Sequence, residues 1–291
     1  MNSNELKTIC ENHALWLGNA HMGNRADLIG ADLRGADLSG VDMRGALFAE
    51  ADLSGANLPR SNFTDAVFTR AHLSRANLSG ANFTCADLSE ALLVGADLTH
   101  TRFIQANLTS ADFTRANLGH ADLSGAKLPW SRFQGANLRD ALFQDADMRD
   151  ADLRAFGERA NFSRADLRRA NFVCAYLNRA NFTDANVRAA NLTGADLSDC
   201  VAHDADFGFA TLDRANLCAS RLGRANFAEG SLRAAYFSGA DLRSANMHKS
   251  DLWSAIMTGV DVTNVNFIGA TLSRVEWTSA VGRVAPGTTT V

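Results

Sequence analysis

Residues 26–45 read ADLIG ADLRG ADLSG VDMRG, and the cadence does not stop there. Written in fives, it runs unbroken to ADLRA at 151–155, which makes 26 units. A second run, from ANFSR at 160 to VEWTS at 279, adds 24 more. The third residue of each unit, its centre, is Leu, Phe, Met, Val or Trp everywhere except Ala202. The first residue is Ala in 39 of the 50 units, so one small and one bulky side chain recur as a pair.

A period of five fits neither the 3.6 of a helix nor the 2.0 of a simple strand. Alternate residues of extended backbone point the same way, so the small first residue and the bulky centre share an inward face. The chain must then turn before the next unit. The second residue is mostly Asp or Asn and the fourth is often Ser, Thr or Arg. Short polar side chains at these outward positions can hydrogen-bond nearby backbone groups.

How many units close one coil is testable within the sequence. Centres 20 apart form a leucine column at Leu38, Leu58, Leu78, Leu98, Leu118 and Leu138. The next column, Met43, Phe63, Phe83, Phe103, Leu123 and Phe143, is mostly phenylalanine. Leu192, Leu212, Leu232, Leu252 and Leu272 repeat the behaviour in the second run. Like residues stack when each layer copies its neighbour, so four units make one coil. The fold class is all-β: a quadrilateral parallel β-helix of about 12 coils, each contacting only its neighbours.

With 50 copies of A(D/N)LxX over residues 26–279, the chain resembles the pentapeptide-repeat family. The resemblance implies a right-handed quadrilateral β-helix; the handedness comes from the resemblance and not from the period. Some members resemble duplex DNA in width and acidity, bind DNA gyrase, and protect it from quinolones or peptide poisons. Those members share a C-terminal dimer contact and a break between two solenoid segments. The partners implied are therefore DNA gyrase and a second copy of the chain, as a homodimer through the C-terminal end.

The ends and the interruption define the organisation. In NELKTICENHALWL (4–17), Leu6, Ile9, Cys10, His13, Trp16 and Leu17 recur at helical spacing, with Asn4 or Ser3 as N-cap. Residues 1–25 are thus expected to form a short α-helical cap. Trp277, the last centre, is large enough to plug the core, and 280–291 lacks periodicity and reads as a tail. Between the segments 26–155 and 160–279 stand Phe156, Gly157, Glu158 and Arg159, where the step between centres is nine rather than ten. If a unit has lost one residue, Phe162 falls below Phe143. If these four residues are a linker, it falls below Leu138. Gly157 is the expected site of positive φ, with Glu158 and Arg159 in solvent.

Bulk properties exclude several function classes. A formal charge of −4 over 291 residues gives no strong attraction to nucleic acid or membrane, and no direct nucleic-acid contact is expected. The chain's 25 arginines share the outward positions with its acids, whereas a duplex carries one charge per ~1.7 Å of axis. That balance counts against carrying DNA mimicry over from the family. The five cysteines are scattered, without CxxC or metal spacing, and suit a reducing compartment. The start lacks the basic and apolar regions of a signal peptide, and no stretch approaches the ~20 apolar residues of a membrane helix. A bacterial cytoplasmic location is expected.

No phosphate loop, HExxH, GxSxG or zinc-type cysteine set occurs, so a non-enzyme without cofactors is expected. One line could bind a metal: His100, His120 and Asp140 are fifth residues 20 apart, with Asp97 and Asn117 beside them. The competing reading is three solvated side chains that happen to align. Arg159, Arg164, Arg168, Arg169, Arg179 and Arg188, with Asp166 and Asp184 among them, read as a mixed-charge face rather than a phosphate stripe. Apolar residues occupy the outward second position at Leu47, Val67, Leu92 and Leu142, and Pro129–Trp130 are also outward. Tyr236 and Ile256, 20 apart, with Trp253 at the neighbouring edge, form the candidate interaction patch. The expected function is a non-enzymatic scaffold that docks protein partners on its solenoid faces.

Overall fold

In the computed structural model, residues 1–19 and 21–282 are described. They fall into two compact units that divide between Leu142 and Phe143. In each unit the second residue of a repeat bridges, in parallel, to the second residue of the repeat one coil on. Asp37↔Asn57↔Asn77↔Asp97 is one such ladder in the first unit, and Asn161↔Asn181↔Val201↔Arg221 is one in the second. Each bridge joins a repeat to the fourth repeat after it, so four repeats make one coil.

The same hydrogen bonds recur from repeat to repeat. The centre N–H donates to the next coil, as from Leu53 to the His72 carbonyl at 2.7 Å, and the second N–H donates to the previous coil, as from Asn57 to the Ala36 carbonyl at 2.9 Å. The following first residue closes a turn onto the centre carbonyl, as Ala56 does to Leu53 at 2.9 Å. The fifth residue carries φ near +60°, as at Gly55 (67°) and Arg60 (57°). A turn of type II demands positive φ there, where glycine is least strained. The Asp or Asn at the second position accepts from the N–H two residues later, as Asp52 does from Ser54 at 3.0 Å. This is the outward hydrogen bond that short polar residues were expected to make.

Inside, the centres stack. Phe63, Phe83 and Phe103 lie face to face at 4.9 and 5.2 Å in the first unit, and Phe143, Phe162 and Phe182 at 5.0 and 5.1 Å in the second. First-position alanines are buried beside them. Where the first residue is polar, its hydroxyl is satisfied: Thr101 donates to the Leu78 carbonyl at 3.0 Å and Ser250 to the Met247 carbonyl at 2.8 Å.

The interruption lies one repeat earlier than the four-residue reading of 156–159 placed it. Asp152 bridges Asn171, one position short of a full coil, whereas Phe156 bridges Tyr176 at the regular offset. The shortened repeat is therefore Ala151–Arg154, and Ala155–Arg159 is a full repeat with Gly157 at its centre. Phe162 stacks on Phe143, as the loss of one residue requires. Positive φ belongs to Arg159 (58°), not Gly157. A Cβ at Gly157 would lie 2.9 Å from Leu177 Cδ2, so the leucine below fills the space of the missing centre. Glu158 and Arg159 are half-buried and paired with each other at 3.0 Å.

Helix α1 (Ser3–Gly18) closes the first coil. Its N-cap is Asn2 rather than Ser3 or Asn4. The Asn2 side chain accepts from Glu5 N–H at 2.9 Å, and the Glu5 carboxylate accepts from Asn2 N–H at 3.0 Å. Leu6 and His13 are buried, and Ile9, Cys10, Trp16 and Leu17 are half-buried. Gly23 lies so close to the helix that a Cβ would come within 2.1 Å of the Asn12 carbonyl oxygen. At the other end of the described chain, Val281 still bridges Asp261, so the ladder continues past 279. The rest of the expected tail, 283–291, lies outside the described residues.

Candidate interaction surface

The second-position ladder that begins at Phe156 runs through Tyr176, Asp196, Asn216, Tyr236, Ile256 and Glu276. It carries the expected patch. Tyr236 is 45 % exposed and Ile256, directly bridged to it, is half-buried. Trp253 is a fourth residue, at the corner before Ile256, and is 42 % exposed. The Arg274 guanidinium lies over the Trp253 ring, 5.6 Å from its centroid, a contact that orients the indole without covering it. Trp253 also walls two shallow clefts, both of which include Arg233.

The same ladder holds residues that the sequence reading does not join to the patch. Phe156 and Tyr176 are both more than half exposed and stack at 5.4 Å and 13°. A joint at 156–159 hides this pairing; counting second positions from Ala155 exposes it. Phe209, a fifth residue at φ 60°, is also exposed, beneath Arg188 at 4.9 Å. By contrast Leu47, Val67, Leu92 and Leu142, also second-position residues, are half-buried, and Leu47 is bridged to Val67. Pro129 is buried and Trp130 is 61 % exposed.

The charged positions neutralise one another locally. An Asp at the second position pairs with an Arg two residues later, as Asp166 with Arg168 at 2.6 Å, and Asp147 with Arg149 at 2.7 Å. Others pair between coils: Asp145 with Arg164 and Asp150 with Arg169, both at 2.7 Å, and Asp204 with Arg224 at 2.5 Å. The facing guanidinium holds each of these last three carboxyls below its ordinary range. Of the six arginines in the early second segment, five sit beside carboxylates: Arg159, Arg164, Arg168, Arg169 and Arg188. This is the mixed-charge face rather than a phosphate stripe.

His100 and His120 do align. Their rings stack at 4.9 Å and 7°, and His120 Nδ1 is 3.9 Å from an Asp140 carboxylate oxygen. Ring lone pairs lie in the ring planes, and nearly parallel planes do not converge on one ion. Among the described residues, no group of three or more His, Cys, Asp or Glu side chains is placed to hold a metal. No helix among them is long and apolar enough to cross a membrane.

Comparison with known proteins follows the same repeats. The family model "Pentapeptide repeats" matches residues 26–65, 160–199, 180–218 and 220–259, and "Pentapeptide repeat region" matches 66–143. No curated protein matches the chain significantly. Among solved structures, the chain is similar to HetL, a pentapeptide repeat protein involved in heterocyst differentiation regulation in the cyanobacterium Nostoc sp. strain PCC 7120. The two are 28 % identical over 95 % of this chain and 94 % of HetL, with a TM-score of 0.41. It is also similar to QnrB1, a plasmid-mediated fluoroquinolone resistance protein, at 18 % identity over 72 % of this chain and 86 % of QnrB1, with a TM-score of 0.30. A pentapeptide repeat protein from the Arabidopsis thaliana thylakoid lumen is 26 % identical over 43 % of this chain and 67 % of its own, with a TM-score of 0.15. With the repeat models covering residues 26–143 and most of 160–259, the chain belongs to the pentapeptide-repeat family.

Proposed function

We propose that the chain is a non-enzymatic, right-handed β-helical scaffold that acts by docking a protein partner on its outward positions. The observation that carries this reading is the exposed Tyr236 and Trp253 around Ile256, on a scaffold whose other outward side chains are mostly short and polar. Large aromatic side chains left in water lose the stabilisation of burial, and Trp and Tyr are the residue types that anchor protein interfaces. The test is affinity capture from the native host, with wild type and a Trp253→Ala, Tyr236→Asp double variant compared side by side. A partner recovered by wild type and lost by the variant is the expected result. Equal recovery by both would remove this patch from the function.

Binding of DNA gyrase as a DNA mimic is the alternative that the family suggests. Local pairing of Asp with Arg counts against it, because a paired carboxylate contributes little to the long-range negative field that a duplex presents. A supercoiling assay with purified gyrase, with and without a quinolone, decides between them. Inhibition or protection would favour mimicry over the scaffold reading.

A further inference from the structure

Several fifth-position arginines find a carboxylate along their own corner of the coil. Arg70 meets Glu90 at 3.0 Å, Arg164 meets Asp145 and Arg169 meets Asp150 at 2.7 Å, and Arg224 meets Asp204 at 2.5 Å. In each pair the carboxylate is itself a fifth residue, one coil away. The contact can be two-pronged: Arg164 Nε and Nη2 donate to the two Asp145 oxygens at 2.8 and 2.7 Å.

Arg60, Arg75 and Arg115 are also fifth residues, but their corners hold no acid beside them. Glycine stands one coil before and one coil after each: Gly40 and Gly80, Gly55 and Gly95, Gly95 and Gly135. The three side chains are exposed and make no hydrogen bond or ion pair among the described residues. Their stems are nevertheless placed. Arg60 Cγ lies 3.6 Å from where a Cβ at Gly80 would be, Arg75 Cγ 3.8 Å from that of Gly95, and Arg115 Cγ 3.6 Å from that of Gly135. Each runs along its corner toward the next coil, as Arg70 does toward Glu90.

The three arginines border one side of four successive coils. The bridges Asn57↔Asn77, Asn77↔Asp97 and Asp97↔Asn117 stack residues 56–60, 76–80, 96–100 and 116–120. Arg60 ends the first of these rows, and Arg75 and Arg115 precede the second and the fourth. With the preceding corner residues included, this side carries three arginines against one acid, Asp97. Each of the other three sides of the same coils, reckoned likewise, carries at least as many acids as Lys and Arg. Asn57, Asn77 and Asn117 complete the floor with uncharged amides that donate and accept.

We infer that this side is a docking surface for an extended acidic segment of a partner protein, whose Asp or Glu carboxylates pair with Arg60, Arg75 and Arg115. The inference rests on the reading that outward positions serve protein contact, and it adds a surface separate from Tyr236 and Trp253. The fifth position already binds carboxylates elsewhere in the molecule, so the chemistry is that of Arg164 and Asp145 with the acid supplied from outside. One side of a coil spans about three extended residues, ~10 Å, which is room for a single chain. Three cations spread over four coils, ~15 Å, are too sparse for a duplex with a charge every ~1.7 Å, whereas a flexible peptide can space its carboxylates to suit.

Fluorescence anisotropy of a labelled oligoglutamate peptide with the purified full chain tests this. The wild type should bind, and raising salt from about 20 to 200 mM should weaken binding about fivefold or more. The combined variant Arg60→Gln, Arg75→Gln, Arg115→Gln should lose tenfold or more in affinity without lowering the melting temperature. Gly95→Asp should also weaken binding, by giving Arg75 an acid of its own. The fifth position accepts Asp at positive φ, as at Asp65 (58°) and Asp145 (59°). Arg164→Gln, Arg169→Gln and Arg224→Gln together remove the same charge from paired sites and should leave affinity within about twofold. No binding at millimolar peptide overturns the inference, as does an equal loss in this control. Tighter binding of an oligothymidylate of equal charge through the same arginines overturns it in favour of nucleic acid. Purified protein decides this question, so failure here alongside a host partner captured through Trp253 would remove this surface and leave the scaffold standing.

Discussion

The first coil and the last described coil are finished in different ways. Under α1, Leu28 and Leu33 are 1 % and 2 % exposed, as well buried as any mid-coil centre. In the last described coil, the centres Leu272 and Trp277 are only half-buried, and the Trp277 indole N–H is buried without a partner. A coil in the middle of a solenoid has a neighbour on each side, whereas a terminal coil needs a separate cover. The helix supplies one through two contacts that the repeat cannot provide. His13, fully buried, accepts the Ala26 N–H on Nδ1 at 3.0 Å, and Gly23 lets the chain approach the helix backbone. The difference shows that the repeat builds the core but does not close it.

Removing the close approach should break this asymmetry most severely. In Gly23→Ala the new Cβ would sit 2.1 Å from the Asn12 carbonyl oxygen and 2.6 Å from the Trp16 nitrogen, both backbone atoms that cannot swing aside. A loss of about 3 kcal/mol is expected, at the upper end of overpacking costs, with α1 released from the first coil. Thermal unfolding together with limited proteolysis between α1 and the first repeat measures it. Unchanged melting would show that the cap contributes nothing.

His13 should give a smaller effect, and one that depends on pH. Burial pushes its pKa below the ordinary imidazole range, followed by an upward influence of the Arg44 backbone. Asp42 also favours the charged form, and Arg25 and Arg44 oppose it. The folded state therefore binds fewer protons than the unfolded one, and stability rises with pH between the two pKa values. The contribution is fully present above about 6.5, the unfolded value, and is lost as pH falls through the lower folded value. His13→Ala should cost about 1–3 kcal/mol at neutral pH, because the Ala26 N–H loses its acceptor. His13→Asn keeps an acceptor near Nδ1 but cannot titrate, so the wild-type loss at acid pH should be absent from it. Trp16, stacked on His13 at 5.3 Å, provides a local fluorescence signal in a background where the other tryptophans are phenylalanine. Identical pH profiles for wild type and His13→Asn would assign the acid loss elsewhere.

Trp277→Ala should perturb least, by about 1–2 kcal/mol, because a half-exposed side chain has less burial to lose than the roughly 3–5 kcal/mol typical of Trp→Ala in a closed core. Denaturant unfolding compares it with the two cap variants. A cost above that of Gly23→Ala would reverse the comparison and make Trp277 the stronger closure.

Much of the fold is legible in advance because the core is one-dimensional. Phe63, Phe83 and Phe103 can be assigned to one stack from their spacing, since each coil copies the one before. The Tyr236–Ile256 contact is legible for the same reason, as both occupy the second position in repeats one coil apart. The interruption is not. Ala151 and Ala155 are equally good first residues, and a glycine at a centre looks like a turn until Leu177 is seen to fill the space beneath it. Phe156 therefore reads as part of a joint, and its stacking on Tyr176 stays hidden in the letters. The N-cap differs by one or two positions because Asn2, Ser3 and Asn4 can all cap, and only the side chain of Asn2 reaches the free N–H groups.

Composition and period alone dictate the inward positions, the four repeats per coil and the ladder partners. Each follows from alternation in extended backbone and from a turn in every repeat. Tertiary structure was needed wherever the repeat fails or turns outward: the site of the missing residue, the helix held down by His13 and Gly23, and the pairing of the arginines. Those outcomes depend on which of several sterically equivalent neighbours a side chain meets, and a periodic sequence presents the same neighbours many times over.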